Sequence, residues 1–494
     1  MSERRLHYTF GPLERRGFLG PLRAGQAGLL AAGTLLAIVV LDRSPSVAGV
    51  VLATVLIGIT VGLALAPLGR RTCEEWAAVA WAYAVRWAHS RLRFRSAIPT
   101  LGVGASAFGR TRRLPVAPPQ ALRGVKILEA GTQERPIGAL SERSDRLLTT
   151  VLACRVVAFS LLDAEAQERR LSRWGLVLSG AAGSAIRRIQ WLERTAPAQG
   201  DELARWLHAE RDPAVPLRGA PMIESYLELI GATAQVAQEH EILIALQIDA
   251  RRARERGRDG AIRVLIEQAE RIAQALEAAE VVVLGALSPG QLARSLRTAF
   301  DPYGRSELAA LETADPDRDG LSESNAWPLG AREAWEHYQS DGAVHATYWI
   351  AGWPRVEVSP MFLGALLSRS SAVRTVAVVF EPIRPERSTR EVEAAITRDR
   401  ADRELRHRFG QSETARQRQA QDAAARRELE LAAGHGEVRF TGFVTVSGRS
   451  PDDLRRGCAE VLEHAARSRV ELHRMYGQQA EAFTFTLPLC RGLR

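Results

Sequence analysis

Lys126 is the only lysine in the chain, and arginine supplies the other 65 of its 66 basic residues. A Walker A loop needs Gly-Lys-Ser/Thr, because the ammonium group must reach the β- and γ-phosphates. Lys126 sits instead in Val125-Lys126-Ile127, so the chain carries no such loop and is not a P-loop ATPase. Cys73, Cys154, Cys458 and Cys490 are far apart with no C-x-x-C spacing. That excludes a zinc ribbon or thioredoxin motif and argues for a reducing compartment. None of the ten histidines forms H-E-x-x-H, and His240 and His345 flank strand-like runs, where a structural role is expected. Asp315-Pro316-Asp317-Arg318-Asp319-Gly320 begins like a calcium loop, but position twelve is Ala326 where a bidentate Glu is required. No G-x-S-x-G elbow occurs. The run Leu101 to Ala107 imitates a dinucleotide-binding glycine loop, yet it follows a basic helix and precedes a proline-rich linker. Gly448-Arg449-Ser450 reads only as a loop before a helix. These residues predict no catalytic site, no metal, no cofactor and no small-molecule substrate.

The elements that must position the remaining side chains begin with two apolar runs. Residues 24–41 are broken only by Gln26 and Thr34, and residues 47–68 contain no charge. A helix of about 20 apolar residues spans a bilayer, so a two-helix membrane hairpin is expected over residues 1–70. Arg4, Arg5, Arg15, Arg16 and Arg23 precede it, and Arg70, Arg71, Arg86, Arg91, Arg93 and Arg95 follow it. By the positive-inside rule both termini face the cytoplasm of a bacterial cell membrane. From Glu74 to Arg95, Trp76, Tyr83 and Trp87 recur at helical spacing and predict an amphipathic helix at the lipid interface. An interfacial helix and linker are thus expected over residues 71–120.

The formal charge of +9 and pI of about 10.0 first suggest nucleic acid. Residues 1–113 alone hold +10, which leaves −1 over the other 381 residues. The basic excess therefore belongs to the membrane flanks, and nucleic-acid binding is not expected. In the remainder, strand-like and helix-like runs alternate in the order strand, helix, strand, strand, helix, strand. This predicts an α+β protein with two ferredoxin-like subdomains, residues 121–300 and 301–494, and a charged helical hairpin over residues 387–433. The two halves follow one theme, as a duplication would.

Four stretches carry a resemblance. They are His345 to Arg355, Val376 to Pro382, Leu431-Ala432-Ala433-Gly434-His435-Gly436, and Tyr476 to Phe483 with Leu487-Pro488-Leu489. They resemble bacterial conjugation-associated membrane proteins, which are similar to the N-terminal, non-catalytic region of type IV secretion ATPases (the CagE/TrbE/VirB group) behind a two-helix membrane module. The resemblance implies a scaffold for a type IV secretion-like or conjugative DNA transfer machine. Its motor would be an ATPase supplied in trans, because in those ATPases the Leu-Pro lies before the motor domain and here the chain stops at Arg494. It further implies a homo-oligomer, with Trp353, Pro354, Arg355, Tyr476, Gly477, Gln478 and Gln479 as the candidate partner interface. Two alternatives remain open: a type VII secretion membrane component with the same hairpin-plus-cytosolic-body layout, and a membrane-tethered enzyme.

Overall fold

The computed structural model describes residues 24–65, 67–68, 71–96, 118–132, 135–155, 159–197, 221–236, 238–253, 257–304, 325–354, 356–368, 370–384, 387–388, 390 and 436–493. The linker glycines 101–107, the acidic run 315–320, Arg355 and nearly all of 387–433 lie outside them. The described residues form two compact units, one from those within 24–92 with 476–478 and one from those that remain.

In the first unit, helices α1 (Ala24–Arg43) and α2 (Val47–Leu65) pair as a hairpin. Both are long and apolar enough to cross a membrane, and little of either is buried in the protein. A core helix of a soluble protein would bury its large side chains, whereas here Leu35, Ile38, Val47 and Val51 are exposed. What α1 and α2 do bury is small: Ala37, Ala53 and Ala64. A Cβ added at Gly33 would lie 2.5 Å from Thr60 Oγ1. Close backbone approach through small residues is how helices associate in lipid, where apolar burial offers no driving force. Gln26 satisfies its buried amide by donating to the Ala64 carbonyl at 2.9 Å. A two-residue ladder, β1 (Pro67–Leu68) with β2 (Arg71–Thr72), leads to α3 (Cys73–Ala88). Glu74 and Glu75 in the first turn suit the helix dipole, and Glu75 accepts from the Thr72 N–H at 3.2 Å. The helix stops at Ala88 and not at Arg95, because His89 and the left-handed Ser90 (φ 54°) close it.

The second unit is built on one 13-stranded antiparallel sheet. Its path runs β3 (Arg93–Arg95), β10 (Gly330–Glu333), β11 (Tyr338–Ser340), β12 (Ala343–Gly352), β14 (Val438–Gly448), β13 (Val373–Pro382), β7 (Ile186–Pro197), β8 (Gln238–Asp249), β6 (Leu147–Arg155), β5 (Arg135–Glu142) and β4 (Lys126–Thr132). Beside this path, β9 (Val282–Ala286) pairs with β6, and β15 (Glu471–Arg474) pairs with β12. Further helices are α4 (Ala164–Ala182), α5 (Pro221–Val236), α6 (Arg258–Ala278), α7 (Pro289–Phe300), α8 (Gly364–Leu367), α9 (Pro451–Arg467) and α10 (Gln479–Phe483). The chain is therefore α+β, with helices packed on a large antiparallel sheet.

One plan is used twice. Each half contributes an antiparallel hairpin (β4–β5, β10–β11) and then a β–α–β–β–α–β run: β6, α4, β7, β8, α6, β9, with α5 inserted between β7 and β8, and β12, α8, β13, β14, α9, β15. Numbered one to four within its run, each set of strands lies side by side as four-one-three-two. The halves meet second strand to second strand, with Leu192 of β7 opposite Ala377 of β13. Individual hydrogen bonds repeat too: Leu287 N–H donates to Val151 O at 2.9 Å, and Met475 N–H donates to Thr347 O at 3.0 Å. The halves therefore share one continuous sheet.

The core follows from the strands being covered on both faces, which calls for continuous apolar runs. On one face α4 and α6 pack on Leu148, Ile189 and Ile244, while α8 and α9 pack on Val376, Val444 and Val446. In α9, Leu454, Cys458, Val461 and Ala465 form the buried stripe. Ser450 caps that helix by accepting from Asp453 N–H at 3.2 Å, and Pro451 starts it. The other face is covered by α7 and residues 483–490, which bury Leu192, Leu243 and Ala377.

Candidate functional site

The sheet ends of β12 hold Trp353 and Pro354. Trp353 is half-buried, edge-on to Phe440 (5.2 Å between centroids) and Phe362 (6.4 Å), and Pro354 is buried. This pair packs at the sheet margin, with Trp353 only partly accessible. Gln479 is also internal. Its Oε1 accepts from Thr347 N–H at 2.9 Å, and its Nε2 donates to Thr347 O (3.3 Å) and Met475 O (2.9 Å). Thr347 lies between the stretches of β12 paired with β11 and with β15. The side-chain amide thus serves as a stand-in strand at that joint.

Tyr476, Gly477 and Gln478 group with α3 in the membrane unit. Tyr476 lies 6.0 Å from Trp76 between ring centroids, and the Gly477 carbonyl (φ 67°) accepts from Arg86. Gln478 is half-buried. Trp76 and Tyr83 are half-buried and Trp87 is 70% exposed. Trp81, 74% exposed, and Val85 form an outward face that spacing from Trp76 does not select. Eleven of the twelve residues 76–87 being apolar hides that second face in the sequence.

The titratable groups with large shifts lie inside the body. His345 sits fully buried between Ser340 Oγ (2.8 Å to Nε2) and Ser447 Oγ (2.8 Å to Nδ1), with Phe300 O 3.2 Å from Nε2. Burial pushes its pKa down to about 3, so the ring is neutral. Phe483 packs on it at 4.7 Å. Burial likewise pushes the Cys154 thiol and the Tyr303 phenol up to about 12 and the Cys490 thiol higher still. None of these thiols is a reactive nucleophile. Arg194 is buried and donates to Glu241 Oε2 at 2.7 Å and Ser295 O at 3.3 Å. Arg374 is fully buried and donates to Ser368 O, with its pKa lowered to about 10 by burial. Among the described residues no His, Cys, Asp and Glu are grouped so as to hold a metal ion. This polar inventory fixes backbone segments to one another.

The strongest example is residues 484–493. Gln190 Nε2 donates to Phe485 O (2.9 Å) while its Oε1 accepts from Cys490 N–H (2.7 Å). Gln247 Nε2 donates to Leu489 O at 3.1 Å, and Arg188 donates to the Cys490 and Leu493 carbonyls at 3.2 and 2.7 Å. Arg491 clamps Glu142 at 2.9 Å and donates to Ala121 O at 2.7 Å. Leu487 and Leu489, the flanks of the Leu-Pro-Leu motif, are completely buried.

Two features thus stand out: an apolar hairpin long enough to cross a membrane and a body whose segments are pinned together by buried polar side chains. Residues 236–350, from β8 into β12, are similar to the family described as "Putative type VII ESX secretion system translocon, EccE". The matched stretch is 115 of the 494 residues. No curated protein matches the chain.

Proposed function

We propose that the protein is a non-catalytic membrane component of a type VII secretion translocon, anchored by α1 and α2. The observation that carries this reading is the likeness of residues 236–350 to the EccE translocon family, found in a chain whose N-terminal helices expose apolar side chains. It favours the type VII layout over the type IV scaffold suggested by the motifs from His345 onward. The described parts of those motifs build β12, β13 and the Thr347 joint, where residue types answer to packing; residues 431–435 lie outside the described residues. The two β–α–β–β–α–β runs are read as ferredoxin-like repeats of one ancestral unit, with both chain ends and the body on the cytoplasmic side. The role is positional: the body presents fixed surfaces to other translocon subunits, including an ATPase supplied in trans, and to further copies of itself. Trp81, Val85 and Trp87 rest at the lipid headgroups, with Trp76 and Tyr83 behind them.

The test is affinity isolation of the tagged full chain from membranes, with secretion measured in a deletion strain. Co-isolation of the type VII subunits and loss of export are expected. Extraction of the chain from membranes by alkaline carbonate, or robust ATP hydrolysis by the purified chain alone, would refute the reading.

A further inference from the structure

We propose that the outer edge of β9 is a docking edge, onto which an extended segment of a neighbouring membrane-complex subunit adds as one more strand. The segment would be aliphatic at alternate positions, with a carboxylate within reach of the Arg155 side chain across β9. The internal repeat supplies the comparison. β9 and β15 are the fourth strands of their halves, and each pairs with a first strand through a register shift. Val283 and Leu472 both turn inward, toward the clusters under α6 and α9.

The residues facing outward differ. On that face of β15, Glu471 pairs with His473 at 2.7 Å; on the other face, beside Leu472, Arg474 donates to Glu336 O at 2.8 Å while lying over Tyr348. Charges on an edge strand are the usual protection against unwanted strand addition. In β9 the sequence is Val282-Val283-Leu284-Gly285-Ala286, with no charge at all. Val282 is 47% and Leu284 58% exposed. Among the described residues β9 pairs only with β6. An uncharged apolar edge, beside a sister edge that is fully guarded, is a template for strand addition.

Size and charge select the occupant. Five residues of strand reach only about 17 Å, and one added strand of that length buries far less than the ~1,200 Å² or more of a freestanding protein pair. Such a contact holds only between subunits already in the same membrane, where tethering raises the effective concentration. A second copy meeting β9 edge to edge would bring another uncharged strand and set a second Arg155 near the first, so a segment of a different subunit is the occupant. Arg155 lies opposite Val282 in the ladder and is exposed, which favours an acidic residue in the added strand. The partner's membership of a translocon rests on the function proposed above; the edge itself rests on β9.

The experiment uses the full chain, alone in detergent and within the complex isolated from membranes. Amide hydrogen exchange is followed at residues 282–286 and 471–474, and a photo-reactive phenylalanine at position 284 is mapped by mass spectrometry. Exchange at 282–286 is expected to slow at least tenfold in the complex and to stay constant at 471–474. The adduct is expected on one extended, acid-containing segment of another membrane protein. Val282→Lys with Leu284→Lys should abolish the adduct without moving the thermal midpoint by more than a degree or two. Equal exchange in both states, an adduct with a second copy of the chain, or an adduct with lipid alone would overturn the proposal. If translocon subunits co-isolate while β9 stays unprotected, the docking edge is wrong and the translocon reading stands. If β9 is protected by a segment from outside any secretion machine, the reverse holds.

Discussion

Lowering the pH should loosen the body through one buried ring. His345 keeps its imidazole neutral down to about pH 3, whereas in the unfolded chain it takes up a proton near pH 6.5. Above pH 6.5 neither state binds that proton, and the full stability is present. Below it the unfolded chain gains a proton that the folded body does not, so stability falls by about 1.4 kcal/mol per pH unit until about pH 3. Between pH 7 and pH 5 the loss from this group is about 2 kcal/mol. His345→Asn removes the titration while keeping donor and acceptor atoms for Ser340 and Ser447. The readout is the opening free energy of the β12 and β14 amides by hydrogen exchange, corrected for intrinsic rates, in the full chain in nanodiscs. Across that interval the natural chain should lose about 2 kcal/mol more than His345→Asn. Equal pH dependence of the two proteins would refute the reasoning.

Other substitutions probe the remaining contacts. Gln479→Ala strands the buried Thr347 N–H and should destabilise the β12 joint by about 1–3 kcal/mol, read as faster exchange at residues 346–348. Gly33→Leu should force α1 from α2, since even its Cβ would overlap Thr60. By contrast Gly58→Leu, with no atom within 4 Å of its Cβ, should leave the hairpin intact; inter-helix cysteine cross-linking distinguishes the two. Trp81→Ser should reduce quenching of tryptophan fluorescence by brominated lipid while leaving the unfolding of the body unchanged.

Elements with a continuous apolar run or an apolar helical stripe were legible in the amino acids alone. Val373–Pro382 and Pro451–Arg467 lie where the apolar run and the Ser-Pro start place them. The membrane hairpin was legible for the same reason. The short strands were not. β5 reads Arg-Pro-Ile-Gly-Ala-Leu-Ser-Glu and β10 Gly-Ala-Arg-Glu, and such segments become strands only because a neighbour offers an edge. β3 is similar: Arg93-Phe94-Arg95 continues a helical pattern until β10 captures it. The roles that the candidate interface residues play inside the chain were not legible either. Gln479 and Trp353 look like surface recognition residues by type, yet the amide replaces a missing strand and the indole fills a margin. Polar side chains that bond to backbone leave no periodic trace, so Gln190, Gln247 and Arg188 were invisible as a set.

The placement of residues 479–493 has a consequence for biosynthesis. Arg188 and Cys490 are bonded partners separated by 302 positions, and the stretch that holds both halves together follows both of them along the chain. While a ribosome is still making it, the hairpin can already be in the bilayer and each half can gather its own helices. The shared face of the sheet, which α7 covers in part, nevertheless stays incompletely covered until this stretch emerges. Such distant closure is slow compared with local pairing. Truncation within it should therefore leave a membrane-inserted, open intermediate for quality-control proteases to remove, so a missing closing stretch would appear as low abundance before any export defect could be measured.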